Sequence, residues 1–469
     1  MELHFFDQQT YHLRRKKLAE SMGSGLIFLP GNEESGINYK DNTYPFRQDS
    51  SFLYYAGIDR AGLSLVIDCT TGESILIADE LTVDDIVWTG PMPTLIQLAE
   101  HTGIDRIISV EKGIEFLHAA INKKIPVHYL PIYRGDQAFK ISDYLHTTPQ
   151  SIANGYSETL AKAVVNQREI KSKEELKELE VAINYSGEMH YTLMTHAKIG
   201  MTEAQLMAKV RTTCLAHNVD IPYAIILSVN GQTLHNHSYD NTLRSGQLVL
   251  GDFGAESPMH YAGDITRTVP VDKKFTPLQK DIYNLVLNTL QTSIDSVKNG
   301  VAYKSIHLKA AKTIASGMKD LGFLNGDPEE IVGSGAHALF FPHGLGHPLG
   351  LDVHDMEGIG EQYTGYEPGM ERSKEFGLKS LRLAKTLKTG MVLTVEPGIY
   401  FIPELISIWK AQNKFSDFIN YAAIEKVLPF GGIRIEDNVS VRDHDSIILG
   451  NPIPKSVTEI EELRIYAYQ

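Results

Sequence analysis

Residues 248–268 read LVLGDFGAESPMHYAGDITRT. An apolar strand ends on Asp252, a Gly- and Pro-bearing segment turns the chain, and Asp264 lies in the next strand. A hairpin of this kind brings both carboxylates within reach of one cation. Alone, either aspartate reads first as a turn or strand-end residue. Two further acids alter that reading. Glu396 stands in MVLTVEPGIYF (residues 391–401) and Glu436 in FGGIRIEDNVSV (residues 430–441). An ionised carboxylate in an apolar run is costly unless it is paired or binds a metal.

Between these segments, residues 343–355 read HGLGHPLGLDVHD. Gly344, Gly346 and Gly350 disfavour a helix and let irregular backbone pass close to a ligand. One histidine here would read as a hydrogen-bonded core residue. His343, His347 and His354, beside Asp352 and Asp355, read as a site. Arg434 lies two residues before Glu436 on the same strand face, placed to neutralise and orient a neighbouring acid. The plainer alternative is that Arg434 and Glu436 form structural ion pairs.

The candidate ligands are thus Asp252, Asp264, His347, Glu396 and Glu436. Oxygen-rich ligation with one imidazole suits hard divalent cations, Mn²⁺ foremost, and four carboxylates balance the charge of two such ions. Water held between two cations ionises near neutral pH and attacks an acyl or phosphoryl centre. No Gly-rich phosphate loop or arginine cluster accompanies the acids, which favours acyl chemistry.

The bulk composition is ordinary for a soluble globular protein. The chain has 469 residues, too long for one typical core, so two domains are expected. A net charge of -14 argues against nucleic acid or an anionic membrane as the main partner. Cys69 and Cys214 are the only cysteines, so no disulfide framework is implied and a cytoplasmic location fits. The N-terminus lacks the apolar stretch of a signal peptide, and no run is long enough for a transmembrane helix.

An α/β (α+β) organisation is expected. Residues 1–165 alternate helices with short apolar runs (GLIFLPG, FLYYAG, LSLVID and SILIAD), as in a small α/β domain. Residues 166–469 form the second domain. Ser172 with Glu175 predicts a capping box opening a long helix that stops at Gly200, and Thr202 with Gln205 opens another. Helices are also predicted over 277–297 and 305–321. Residues 358–390 and 402–430 read as polar surface insertions.

The ordered set LVLGDFGAE, AGDITRT, HGLGHPLGLDVHD, VEPGIYF and GGIRIEDN resembles the proline-specific pita-bread metallopeptidases, peptidase family M24. Aminopeptidase P and prolidase are that family's best-known activities. The resemblance spans nearly the whole chain, including YPFRQDSSFLYYAG (Tyr44 to Gly57) and the Trp88 segment. It implies an N-terminal α/β creatinase/prolidase-like domain followed by a pita-bread catalytic domain with a dinuclear metal site. By position, Asp252 would bind one metal, Asp264 and Glu436 would bridge both, and His347 and Glu396 would complete the second. His235 in TLHNH would face the substrate, with His343 and His354 steadying substrate and tetrahedral intermediate. One departure stands out. Asp252 and Asp264 are twelve residues apart, one more than the family pattern implies, and a bulge or longer turn must absorb the difference.

The implied reaction is hydrolysis of an N-terminal Xaa-Pro bond through a hydroxide shared by two metals. The bond is a tertiary amide without an N–H, and such a nucleophile does not need one. The N-terminal domain and KKFTPLQKDIYNLVLNTLQTS look more like aminopeptidase P. Arg382 in KSLRLAK looks more like the prolidase arginine that clamps a dipeptide carboxylate, a bidentate task suited to guanidinium; otherwise it is an exposed loop cation. Xaa-Pro aminopeptidase leads and Xaa-Pro dipeptidase follows. Proline-containing peptides are the expected partners, and the family's dimers or tetramers make a homo-oligomer the expected state, with Trp88 bordering a neighbour's site. A non-catalytic peptide-binding pita-bread module would lack metal ligands, and a creatinase-type amidinohydrolase would not need the full acid set.

Overall fold

The computed structural model describes residues 4–468. They fall into two compact units. One runs to Arg168 and also takes in Met356–Tyr363; the other comprises Glu169–Asp355 and the chain from Thr364.

The first unit is built on a mixed sheet. Its strands are β1 (Leu26–Pro30), the small hairpin β2 (Gly36–Tyr39) and β3 (Asn42–Thr43), then β4 (Ser64–Asp68), β5 (Ser74–Ile77), β6 (Arg106–Ile108) and β7 (Val127–His128). The sheet order is β6-β5-β4-β1-β7, with β2 and β3 apart. Strand β4 is antiparallel to both β1 and β5, whereas β6 and β7 add in parallel at the edges. Phe28, Val66, Ile75 and Ile77 from the sheet pack with Leu117 and Ile141 from flanking helices. The run FLYYAG is not among the strands. It lies in a helix, Ser50–Ala56, whose N-terminus is capped by Asp49 and whose end is Gly57 at φ 71. Every residue of that helix is buried, so it shows no amphipathic period, and sequence pattern alone cannot separate such a helix from a buried strand.

The second unit opens with the helix Lys173–His196, started by the Ser172–Glu175 capping box as expected. It stops at Ala197, earlier than the expected Gly200. Ala197 already turns to extended backbone, and Gly200, at φ 86, serves the turn before the next helix, Glu203–Leu215. Two further helices, Pro277–Ile294 and Tyr303–Asp320, lie close to the predicted spans. The strands are β8 (Ile226–Ser228), β9 (Leu248–Phe253), β10 (Ile265–Pro270), β11 (Val392–Val395), β12 (Gly398–Tyr400), β13 (Gly432–Arg434), β14 (Asp437–Val441) and β15 (Ser446–Ile448). They form sheets β10-β9-β8 and β11-β14-β15 and the ribbon β12-β13. One continuous apolar core joins sheets and helices, including Leu193, Val249, Phe253, Ile314, Phe340, Val395 and Ile435.

The insertions are less superficial than their composition implied. Within 402–430, the helix Pro403–Ala411 drives Ile406 and Trp409 into the core. Within 358–390, Leu381, Leu383, Ala384 and Leu387 are buried, and residues up to Tyr363 pack with the first unit. Scattered apolar residues in a polar run give no periodic signal, so only tertiary contact reveals them.

Candidate metal centre

The hairpin predicted around Asp252 is present. Strands β9 and β10 pair antiparallel, with Asp252 opposite Thr266 and Phe253 opposite Ile265. Asp264 immediately precedes β10, not within it. A Glu256–Ala262 bridge continues the same register, so the extra residue is accommodated in the loop 257–261 without a bulge. Gly254 and Gly263 allow this. A Cβ on Gly254 would sit 1.8 Å from the Gly263 carbonyl oxygen. The Tyr223 hydroxyl then ties the two acids together, 2.8 Å from Asp252 Oδ1 and 2.5 Å from Asp264 Oδ1.

Glu436 leaves the β13–β14 segment beside this hairpin. Its backbone N–H donates to the Thr266 carbonyl at 3.1 Å, and its Oε2 accepts from the Thr266 hydroxyl at 2.7 Å. His347 comes from the glycine-rich loop. Its N–H donates to the Thr394 hydroxyl at 3.2 Å, which registers the loop against β11. His347 Nε2 lies 3.2 Å from Asp264 Oδ2 and 3.8 Å from Glu396 Oε1. One donor atom each of Asp264, His347 and Glu436 lie within 4.8 Å of one another. Asp252 and Glu396 flank this trio through the contacts above.

The electrostatics of the cluster follow from its burial and its crowding of acids. Burial and the neighbouring acids push Glu436 well above the ordinary carboxylate range. Burial lifts Glu396 to about 7, and Asp252 is also raised by burial despite Arg434. Burial opposes ionisation of Asp264 too, but the contacts with His347 and Tyr223 outweigh it and hold its carboxyl low. Reciprocally, Asp264 overcomes burial and raises His347. Four acids thus share one buried pocket with too little positive charge to ionise together. A carboxylate-rich, single-imidazole donor set of this kind fits divalent cations.

A second wall adjoins the acids. Arg434 Nη2 donates to Asp252 Oδ2 at 2.5 Å and Nη1 to the Tyr400 hydroxyl at 2.8 Å. Arg434 therefore orients a neighbouring acid as expected, while Glu436 takes its hydrogen bond from Thr266. The Tyr400 hydroxyl lies 2.8 Å from His343 Nε2, and His343 Nδ1 lies 2.7 Å from the Gly344 carbonyl. The carbonyl must accept, so Nδ1 carries the proton and Nε2 accepts from Tyr400. Burial lowers this imidazole to about 3, which agrees with a neutral ring.

His354 packs on His347 with ring centroids 4.1 Å apart and planes at 56°. His235 is exposed on the loop before Asp252. The protein around it lowers its basicity, with Asp252 opposing and Arg434 and Arg382 assisting. Arg382 is half-buried, and its charge also lowers His343. It is therefore not a free-standing loop cation. Three groups escaped the sequence reading: Tyr223, Thr266 and Tyr400. All are uncharged strand or loop residues, and only their position beside the acids distinguishes them.

The sequence profile of metallopeptidase family M24 matches residues 177–443, and that of the aminopeptidase P N-terminal domain matches residues 11–128. The chain belongs to metallopeptidase family M24. Among its relatives, a protein of Uncinocarpus reesii named a probable Xaa-Pro aminopeptidase is 31% identical over 95% of this chain and 91% of its own length. The human Xaa-Pro dipeptidase is 32% identical over 95% of this chain and 90% of its own. Among solved structures, zinc-substituted aminopeptidase P of Escherichia coli in complex with product superposes with a TM-score of 0.81 at 27% identity, covering 99% of this chain and 100% of that one. Among the described residues, no helix is long and apolar enough to cross a membrane.

Proposed function

We propose that this protein is a metal-dependent Xaa-Pro aminopeptidase. The observation that carries the reading is the convergence of four acids and one imidazole in a pocket that cannot ionise them all unaided. Asp252, Asp264, His347, Glu396 and Glu436 would hold two divalent ions, with Mn²⁺ favoured by the oxygen-rich set. When bound, the ions supply a nucleophile at neutral pH and polarise the scissile carbonyl. The division of labour proposed is an N-terminal domain over 1–165 and a catalytic domain over 166–469.

The chain's own groups account for the remaining steps. Asp252, fixed by Arg434 and Tyr223, presents negative charge to the free amine of the first residue, which makes the enzyme an exopeptidase. His235 and His354 face the reacting carbonyl and stabilise its developing charge. His343, expected beside them, is engaged on both ring nitrogens and instead positions Tyr400 beside Arg434. The susceptible bond has no N–H, and nothing in this arrangement requires one.

Arg382 supports a second reading. Its charge reaches both His235 and His343. A guanidinium there is placed to receive the carboxylate of an Xaa-Pro dipeptide. The two free cysteines fit a cytoplasmic setting. Trp88, 87% exposed, fits the family's tendency toward dimers or tetramers. The deciding experiment strips the protein with chelator, restores Mn²⁺, and compares one Xaa-Pro dipeptide with its Xaa-Pro-Yaa extension. Faster tripeptide cleavage is expected; no hydrolysis of either after metal return would overturn the reading, and faster dipeptide cleavage would select the dipeptidase.

A further inference from the structure

The chain passes from the first unit to the second between Arg168 and Glu169, and returns between Asp355 and Met356. An ion pair joins the two crossings on the second unit's side. Lys171 Nζ lies 2.7 Å from Asp355 Oδ2, and the two side chains are only 2% and 1% exposed. Lys171 is also anchored through its backbone, whose N–H donates to the Gly390 carbonyl at 2.9 Å.

Asp355 ends the loop that carries His347 and His354. Its N–H donates to the Pro348 carbonyl at 3.0 Å, closing the loop into a ring. Its Oδ1 accepts from the Asp352 N–H at 3.4 Å, while Oδ2 faces Lys171. The carboxylate fills the space above Gly350, where a Cβ would lie 2.5 Å from Oδ2. Asp355 is therefore the internal brace of the loop, and His354 is its immediate chain neighbour. A buried ion pair adds little net stability, because desolvation cancels most of the attraction. Losing Lys171 is a different matter: it takes a counter-charge away from the buried carboxylate that braces the loop, and the loop adjusts with it.

The geometry points to Lys171 as a positioning residue for His354, acting through Asp355. The kinetic consequence rests on the peptidase reading above, whereas the positioning itself does not. Misplacing a group at a reacting centre by about an ångström costs up to about a hundredfold in rate. Glu169 provides an internal control. It lies on the same short linker and pairs with the buried Lys385 at 2.6 Å and the half-exposed Lys388 at 2.7 Å, both outside the histidine loop.

The test uses the full chain with histidine rings isotope-labelled for NMR, the His354 signal being identified by its loss in His354→Ala. In Lys171→Met the His354 resonance should shift, and in Glu169→Gln it should stay. Metal content should be unchanged. With Xaa-Pro-Yaa as substrate, Lys171→Met should lower kcat at least about tenfold with KM within about threefold, and should cost less than about twofold when placed on His354→Ala. An unmoved His354 resonance, loss of metal, or a penalty that multiplies in full on His354→Ala would each overturn the assignment. If Lys171→Met does not accumulate as folded protein, the near-isosteric Asp355→Asn gives the same readouts. A wild-type protein inactive on Xaa-Pro peptides would defeat the peptidase reading alone, since the histidine spectrum decides the positioning independently.

Discussion

Glu436 and Asp437 are neighbours in sequence, almost fully buried at 1% and 2% exposure, and opposite in fate. Asp437 faces two cations, with Oδ1 2.7 Å from Arg267 Nη2 and Oδ2 bonded to Lys455 Nζ. Burial opposes its ionisation, but Arg267 and Lys455 overcome it and hold its carboxyl low. Glu436 faces Asp264, Glu396 and Asp252, and is pushed far the other way. Adjacent residues of an extended segment point to opposite sides, so one step along the chain separates a completed ion cluster from an incomplete one. Burial alone therefore does not mark a functional acid. What marks Glu436 is burial without its own counter-charge.

Substitution should expose this contrast most sharply in activity. Glu436→Gln should lose at least about a hundredfold in turnover and at least one metal per chain while remaining folded, because it removes one carboxylate from a shared site. Full activity with complete metal content would erase the difference between the two residues. Asp437→Asn should do the converse. It removes the counter-charge of the buried Arg267, while the partly exposed Lys455 can turn to solvent, and should cost about 3 kcal/mol in stability, the lower end for a broken buried pair, with metal affinity of the folded fraction kept. Denaturant unfolding of both variants, metal-free, measures this directly, and Glu436→Gln should be no less stable than the parent.

A smaller effect is expected at Arg382. Arg382→Ala should weaken cleavage of an Xaa-Pro dipeptide about tenfold more than that of its tripeptide extension, since only the dipeptide presents its carboxylate there. Equal losses would remove Arg382 from substrate recognition. The smallest effect is on thermal stability. In the metal-stripped protein, Glu396 and Glu436 keep protons at pH values where the unfolded chain has lost them. The folded state then binds more protons, so its stability falls as pH rises from the ordinary glutamate range toward about 7 for Glu396. Asp437 has the opposite sign. Its contribution is present above the ordinary aspartate value and is lost as pH falls through its lower folded value. Chelated protein should therefore melt a few degrees higher at mildly acidic than at neutral pH, and Mn²⁺ should reduce that difference.

Local chemistry was legible wherever a short-range rule applied. The Ser172–Glu175 and Thr202–Gln205 capping boxes open the helices expected of them, because a cap is satisfied within three residues. The run FLYYAG misled because a fully buried helix carries no period. The tip of the Asp252–Asp264 hairpin was legible as a turn, but whether it bulged depended on the Gly254–Gly263 contact.

By itself, the sequence determined the chemical type of the centre: acids in apolar strands, a glycine-loosened histidine loop, and an arginine on the strand face beside them. These are local facts of composition and alternation. Only the tertiary structure decided which charges are answered from within the chain. It turned Asp437 toward Arg267 and Lys455, left Glu436 among acids, placed Tyr223 between Asp252 and Asp264, and joined Lys171 to Asp355. Partners distant in sequence carry no shared local signal. Their energies depend on separation and on the exclusion of water, and both are set only when the chain has folded.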